Sequence, residues 1–177
     1  MRLFYGRALL LALLLVSCQP ILPQSSLRLT VIVDRESFGS FEDVSAKVIL
    51  ENVGNESLLV NGRLLFRTEP YFPPEGIEGL FLITDAEGKS VIVDGKIDHG
   101  FPIDEFFIVL SPGQYIEKIV TLHGLGFIPQ EFRNNELYTV VAYYQNSLDV
   151  TRIIDGKEIV AWKGKIQSNT VTFQISP

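Results

Sequence analysis

The sequence predicts an all-β fold, an antiparallel β-sandwich of about eight or nine short strands. Three observations support this prediction. Apolar and polar residues alternate with a period of two along much of the chain, which is typical of strands that bury one face. Clusters of Gly, Pro, Asn and Asp separate the alternating runs. Helical periodicity is almost absent, and a parallel sheet would need helices between its strands.

Residues 1–17 have the organisation of a bacterial signal peptide. Arg2 and Arg7 supply the basic start, and an unbroken apolar run covers residues 8–16. As a helix this run would rise about 13 Å, far less than the ~30 Å of a bilayer's hydrocarbon core. We therefore expect an export signal here rather than a stable membrane span.

The end of this run, Leu15-Val16-Ser17-Cys18, resembles the lipobox of bacterial lipoproteins. The resemblance implies cleavage before Cys18 and attachment of acyl chains such as palmitate to the cysteine. It also implies an extracytoplasmic location, anchored to the cell membrane or the outer membrane. Cys18 is the only cysteine, so no intrachain disulfide competes for it. The alternative is an ordinary secretory signal peptide whose cleavage site happens to contain a cysteine.

Residues 18–26 have the composition of an extended tether between the membrane and the body. Pro20, Pro23 and two serines favour a solvated chain that packs on nothing. We expect this lipidated segment to hold the body away from the membrane.

The mature body is acidic. Removing residues 1–17 from the 177-residue chain leaves 160 residues and lowers the formal charge from −6 to −8. Nucleic acids and anionic lipid headgroups select for clusters of Lys and Arg, so this charge argues against both as partners. Residues 27–177 are enough for one well-buried core and contain no obvious linker, so we expect a single domain over this range.

The strand candidates follow the alternating runs in order. They are residues 27–33, 44–51, 58–60, 64–67, 79–84, 90–93, 105–110, 115–122, 137–145 and 170–175. Turn formers at residues 85–88 and 111–114 predict hairpins between their neighbours.

Several short motifs resemble the immunoglobulin-like domains of bacterial envelope proteins, some of which are proteinase-inhibitor or cell-adhesion modules. The motif residues are Pro112, Gly113, Tyr138, Trp162, Gly164, Ser168, Asn169 and Val171. The resemblance implies an immunoglobulin-like sandwich over most of residues 27–177. Trp162 comes late in the chain and no disulfide is possible, which excludes a true antibody-type domain.

Three tyrosines carry structural expectations. Tyr138 opens a predicted strand just after a turn, the placement of a tyrosine corner whose hydroxyl binds back to a loop. Tyr143 and Tyr144 are consecutive on that strand, so one should face the core and the other solvent or a partner.

No metal site is predicted. Neither His99 nor His123 has a partner at metal-ligand spacing. Asp94, Asp98 and His99 could in principle hold a cation, but they lack the ligand ladder of a calcium loop, so a solvated turn is expected.

No catalytic residue, cofactor or enzyme activity is predicted either. The sequence has no Gly-x-Ser-x-Gly elbow and no phosphate-binding loop ahead of a helix. Asp104 and Glu105, as neighbours on a predicted strand, would point to opposite faces, and we interpret Glu42 and Asp43 in the same way.

The candidate partner-binding residues are Tyr71, Phe72, Phe101 and Phe127, which lie beside prolines in three separate loops. Exposed aromatic side chains on stiff loops lose little entropy when a partner buries them. The alternative is that the loops fold back and plug the open ends of the sandwich.

Two classes of function compete. The first is a lipid-anchored, non-catalytic binding or assembly module of the cell envelope, whose partner is an envelope protein, a peptide or a saccharide. The second is an inhibitor or accessory protein of a secreted hydrolase, and a distant third is an enzyme with an unrecognised site.

Overall fold

The computed structural model of the chain describes residues 26–68, 79–91, 104–122 and 135–176. These ranges contain thirteen strands and two short 3₁₀ turns, at Phe41–Asp43 and Asp104–Phe106. The strands are β1 (Leu27–Val33), β2 (Ser37–Phe38), β3 (Ser45–Asn52), β4 (Leu58–Asn61), β5 (Phe66–Thr68), β6 (Gly79–Thr84), β7 (Phe107–Leu110), β8 (Tyr115–Thr121), β9 (Leu137–Asn146), β10 (Thr151–Ile154), β11 (Lys157–Val160), β12 (Gly164–Gln167) and β13 (Val171–Ile175). The all-β prediction is confirmed for these residues.

Strands β1, β3 and β8 form a three-stranded antiparallel sheet with β3 in the centre. Side chains of β1 and β3 alternate between the buried and the outer face, because successive residues of a strand point to opposite sides. The strands define two ends of the molecule. We call the end where β1 begins, with Leu27 opposite Asn52, the tether end, and the end where Val33 lies opposite Ala46 the far end.

The larger sheet has the order β2-β13-β9-β6-β5, and β12 also pairs with β9. Its long central strand, β9, starts at the far end beside β13 and reaches the tether end beside β12. Most pairs are antiparallel. The β2–β13 and β5–β6 pairs are parallel, which the alternation pattern does not indicate.

One of these parallel pairs depends on a glycine. A Cβ atom at position 79 would lie 2.5 Å from the Phe66 ring, so Gly79 lets β6 pair closely with β5. The Phe66 ring in turn lies against Phe81, with 4.9 Å between ring centroids.

The inner faces of the two sheets share one hydrophobic core. The three-stranded sheet contributes residues such as Leu50, and the larger sheet contributes several aromatic rings. Tyr138 and Phe173 stack with centroids 5.6 Å apart, and Phe38 meets Phe173 edge-on at 5.9 Å. Because such pairs contribute about 0.5–1.5 kcal/mol beyond area burial, this aromatic group is a main source of stability.

A second, smaller cluster lies beneath two paired ribbons. β4 pairs with β7, and β10 pairs with β11 as a hairpin. The cluster consists of Leu59, Phe107, Val150 and Ala161. The hairpin turns at Asp155 and Gly156, whose φ angles of 51° and 75° are those that a two-residue type I′ turn requires.

Most predicted strands match described strands within one or two residues. The predicted strand at 105–110 begins only at Phe107, because residues 104–106 form a 3₁₀ turn. The one at 64–67 begins at Phe66, since Leu64 has a φ of 45°. Of residues 90–93, Ser90 forms a single bridge, and residues 92–93 lie outside the described ranges. Strands β2, β10, β11 and β12 have no predicted counterpart, so eight or nine strands was too few.

Candidate functional site

The residues singled out for function from the sequence lie outside the described ranges. They are Cys18, Tyr71, Phe72, Asp94, Asp98, His99, Phe101, His123 and Phe127. Their assignments stay predictions, as do the signal peptide over residues 1–17 and all of the tether except Ser26. Within the ranges that are described, no helix has the length and hydrophobicity needed to cross a bilayer.

Strand ends nevertheless show where the chain leaves and returns around Phe127, which belongs to the segment between β8 and β9. β8 stops at the far end, where Thr121 pairs with Ser45. β9 starts at the same end, where the Asn135 backbone N–H donates to the carbonyl of Ile175 (2.6 Å). Both strands that bound this segment therefore meet it at the far end.

The other two aromatic segments have different flanks. The segment with Phe101 starts after Val91. The Val91 N–H donates to the carbonyl of Ile83 (2.8 Å), one residue before β6 ends at the far end. The segment with Tyr71 and Phe72 returns to the sheet at Gly79, at the tether end. The flanks alone thus do not bring all three segments to one end of the molecule.

Two tyrosines of β9 fasten the core through their hydroxyls. Tyr138 is fully buried and donates to the Glu136 carboxylate (3.1 Å) in the connection before the strand, as expected of a corner tyrosine. The Tyr144 hydroxyl accepts from the Asn61 N–H (3.0 Å) and donates to the Asn61 carbonyl (3.4 Å), so it ties β9 to β4. Tyr143 lies half-buried on the opposite face under Lys165, which confirms that only one of the pair faces the core.

Ser168 and Asn169 interrupt the sheet between β12 and β13. The Ser168 N–H and hydroxyl pair with the backbone of Ala142 (2.8 and 2.9 Å), so β9 keeps its hydrogen bonds across the break. The Asn169 amide accepts from the Val31 N–H (2.9 Å) and donates to the Val31 carbonyl (3.0 Å). These two motif residues therefore have structural roles, and Asn169 joins the two sheets.

A network of hydrogen bonds fixes the chain where β1 begins. The Ser26 carbonyl accepts from the N–H groups of Val53 and Gly54 (2.9 and 3.2 Å). The fully buried Asn52 side chain donates to the carbonyls of Glu56 and Leu110 (2.8 Å each). These contacts fix Ser26, the last residue of the predicted tether, on the body.

The β10–β11 hairpin is inserted between β9 and β12 and projects beyond the tether end. β11 leads into Ala161, which forms a parallel bridge with Leu59 of β4. β4 begins at the tether end. Its first residue, Leu58, pairs with Leu110, whose carbonyl accepts from the Asn52 side chain at that end. Because Ala161 lies beside the second residue of β4, Val160 is level with the first, and the three earlier residues of β11 lie further out, over about 10 Å of strand.

One face of this hairpin carries exposed apolar side chains. Ile153 is 78% exposed and Val160 is 52% exposed, and the register places them diagonally on the same face. Ile159 on the opposite face packs on the small cluster. The sequence analysis missed this element, although Asp155-Gly156 between apolar pairs is a strong hairpin signal.

Three carboxylates meet at the far end. The side-chain oxygens of Asp85, Glu87 and Glu136 lie within 4.8 Å of one another. Asp85 also accepts the N–H of Lys89 (2.7 Å), and Glu136 accepts the Tyr138 hydroxyl (3.1 Å). These contacts give two of the three acids a role in the turn and the core, so the cluster by itself does not define a metal site.

The expectation that strand geometry separates neighbouring acids was wrong at two places. Asp104 and Glu105 lie in a 3₁₀ turn, and so do Glu42 and Asp43. In the turn that contains Asp43, the Ser40 hydroxyl donates to the Asp43 carboxylate (3.2 Å), which is a local contact within the turn.

The fold is thus that of an all-β protein in which two sheets share a core and the β10–β11 hairpin extends past the tether end. The chain matches no known protein-family model and no curated protein sequence. Its function is inferred from its own residues.

Proposed function

We propose that this protein is a lipid-anchored, non-catalytic binding or assembly module of the bacterial cell envelope. Cys18 carries the lipid, residues 27–177 form an immunoglobulin-like sandwich, and the partner is another envelope protein, a peptide or a saccharide. The observation that carries the proposal is that β1, which follows the predicted anchor, begins at one end of the molecule, whereas the strands on either side of the Phe127 segment meet it at the other.

The chain that leads from Cys18 enters the body at Ser26, at the tether end. The strands that bound the Phe127 segment meet it at the far end. In a body anchored through Cys18, the strand ends that flank this segment would therefore lie away from the lipid, on the side from which a partner approaches. An aromatic side chain on a proline-stiffened loop loses little entropy when a partner buries it, so Phe127 is well suited to bind a partner.

The contacts of the motif residues support the immunoglobulin-like assignment. Tyr138 binds back to the connection before its strand. Trp162 packs on Tyr144 with centroids 5.9 Å apart, and Asn169 links the two sheets. Among the buried polar side chains, those of Asn52 and Ser168 bind backbone groups, which is a structural use rather than a catalytic one.

The binding proposal is tested with Phe127→Ala in the full chain, expressed in a bacterium that processes lipoproteins. We expect the affinity for the partner captured from cross-linked envelopes to fall roughly five- to 150-fold, a loss of about 1–3 kcal/mol of binding free energy, while the unfolding temperature stays unchanged. Tyr115→Ala is the matched control, because Tyr115 is an exposed aromatic residue at the tether end. Loss of stability without selective loss of capture would show that Phe127 plugs the core instead.

The anchor is tested separately with Cys18→Ser. We expect the variant to remain uncleaved or to appear in the soluble fraction, because the thiol that accepts the lipid is gone. Mass spectrometry of the native protein should find acyl chains on Cys18. A native protein without acyl chains, and a variant that partitions into detergent like the native one, would contradict the proposal.

A further inference from the structure

The tether end is both close to the anchor and reached by the hairpin. Eight residues, 19–26, separate Cys18 from β1, and fully extended they span at most about 29 Å. The hairpin extends from the same end over about 10 Å of strand. A lipid on Cys18 would therefore keep the hairpin within easy reach of the membrane surface.

Exposed apolar residues are present at this end. Seven large hydrophobic residues of the described chain are exposed, and the four at the tether end are Val53, Tyr115, Ile153 and Val160. Two of these, Ile153 and Val160, share the outer face of the hairpin. Aliphatic side chains and tyrosine are the residue types that enter the boundary between headgroups and acyl chains.

The charges of the two ends also differ. Among the described residues, the turns and outermost strand positions at the tether end, together with the hairpin, carry five basic and five acidic residues. They are Arg28, Arg152, Lys157, Lys163 and Lys165, and Glu51, Glu56, Asp149, Asp155 and Glu158. The described turns at the far end carry two basic residues against seven acidic ones. They are Arg35 and Lys89, and Asp34, Glu36, Glu42, Asp43, Asp85, Glu87 and Glu136.

This asymmetry matters next to a lipid surface, which in bacteria is commonly anionic. Charges act over about 8 Å at physiological ionic strength, so only the end that faces the lipid is affected. Among the described residues, those at the tether end carry no net charge, whereas those in the turns at the far end are acidic and would be repelled.

From these observations we infer that the tether end lies against the lipid surface that holds the protein's own anchor, with Ile153 and Val160 of the hairpin in the interfacial layer. The inference rests on the proposed lipidation of Cys18. It gives residues 18–26 a different role from that of a spacer, because the tether then brings the body down onto the lipid.

The experiment places one fluorophore on the full-length, processed protein. Ile153→Cys and the control Leu137→Cys, at an exposed position of the far end, are each labelled with an environment-sensitive thiol dye. The proteins are reconstituted into vesicles of phosphatidylethanolamine and phosphatidylglycerol. At position 153 we expect a blue-shifted emission that is quenched by lipids spin-labelled near the headgroup and shielded from iodide, and at position 137 the reverse.

Three results would overturn the inference. Equal quenching by iodide at both positions would show that the tether acts as a spacer. Shielding at position 153 without quenching by lipid would indicate a protein contact. The protein without an introduced cysteine separates failure of the anchor from failure of the docking, because a lipidated Cys18 takes up no dye. If this control protein takes up dye, the anchor is absent and both proposals are wrong. If it takes up no dye and the label at position 153 is accessible to iodide, only the docking is contradicted.

Discussion

The strands of the main core and the β10–β11 hairpin both carry large apolar side chains, yet the main core buries them and the hairpin leaves two of them exposed. β9 places Tyr138 and Tyr144 in the core, between two sheets that cover it. The hairpin packs Ile159 on a cluster of four buried residues and leaves Ile153 on the surface. An apolar side chain on a strand thus does not indicate whether its face is covered.

The comparison predicts that stability is concentrated in the main core. We expect Phe173→Ala to lower the free energy of unfolding by about 3–5 kcal/mol, because the ring is fully buried and packs on both Phe38 and Tyr138. Urea unfolding followed by tryptophan fluorescence measures the change. Tyr115→Ala, an exposed aromatic truncation, serves as the control, and an equal loss in both variants would contradict the distinction.

The smaller cluster should behave as a partly independent unit. We expect Leu59→Ala to cost about 2 kcal/mol, the lower end of the usual range, because few buried residues surround the cavity. Hydrogen exchange should show faster opening of β10 and β11 than of β9. Uniform loss of protection across all three strands would show instead that the hairpin unfolds only with the main core.

A third prediction concerns the hydroxyl that links the two regions. We expect Tyr144→Phe to cost about 1–2 kcal/mol, because the buried N–H of Asn61 loses its acceptor. Tyr143→Phe is the matched control on the neighbouring residue, whose ring is only half-buried. Thermal unfolding of the two variants side by side measures the difference, and identical unfolding temperatures would rule out a stabilising link.

The smallest effect is expected on the outer face of the hairpin. Ile153→Ser should change the free energy of unfolding by no more than about 0.5 kcal/mol, since the side chain is mostly exposed and belongs to neither buried cluster. A loss comparable to that of Leu59→Ala would mean that this face packs against another part of the protein.

Much of the fold could be predicted from the sequence because its strands bury alternate residues. β1 and β3 follow this rule along their whole length, and their predicted limits lie within one residue of the described ones. β12 has three exposed residues out of four, so its sequence carries no alternation to detect. The parallel pairing of β5 with β6 depends on Gly79 meeting the Phe66 ring, a contact that no local pattern encodes.

The candidate site was harder to predict for a different reason. Aromatic residues beside proline draw attention in a sequence, and Phe127 was singled out in that way. The exposure of Ile153 follows from where the hairpin is attached, between β9 and β12. From the sequence, an isoleucine is predicted to be buried, and only the tertiary structure shows that its face of the strand is exposed.

The amide of Asn169 also affects how copies of the protein meet one another. β1 pairs with β3 on one side only, and an uncovered strand edge can add a strand from another molecule. The Asn169 side chain takes both backbone groups of Val31 on the open side, as a neighbouring strand would. If Cys18 anchors the protein as proposed, its copies would meet at high local density on the membrane surface, where edge-to-edge aggregation is favoured. One side chain thus blocks the middle of the edge along which such aggregation would start.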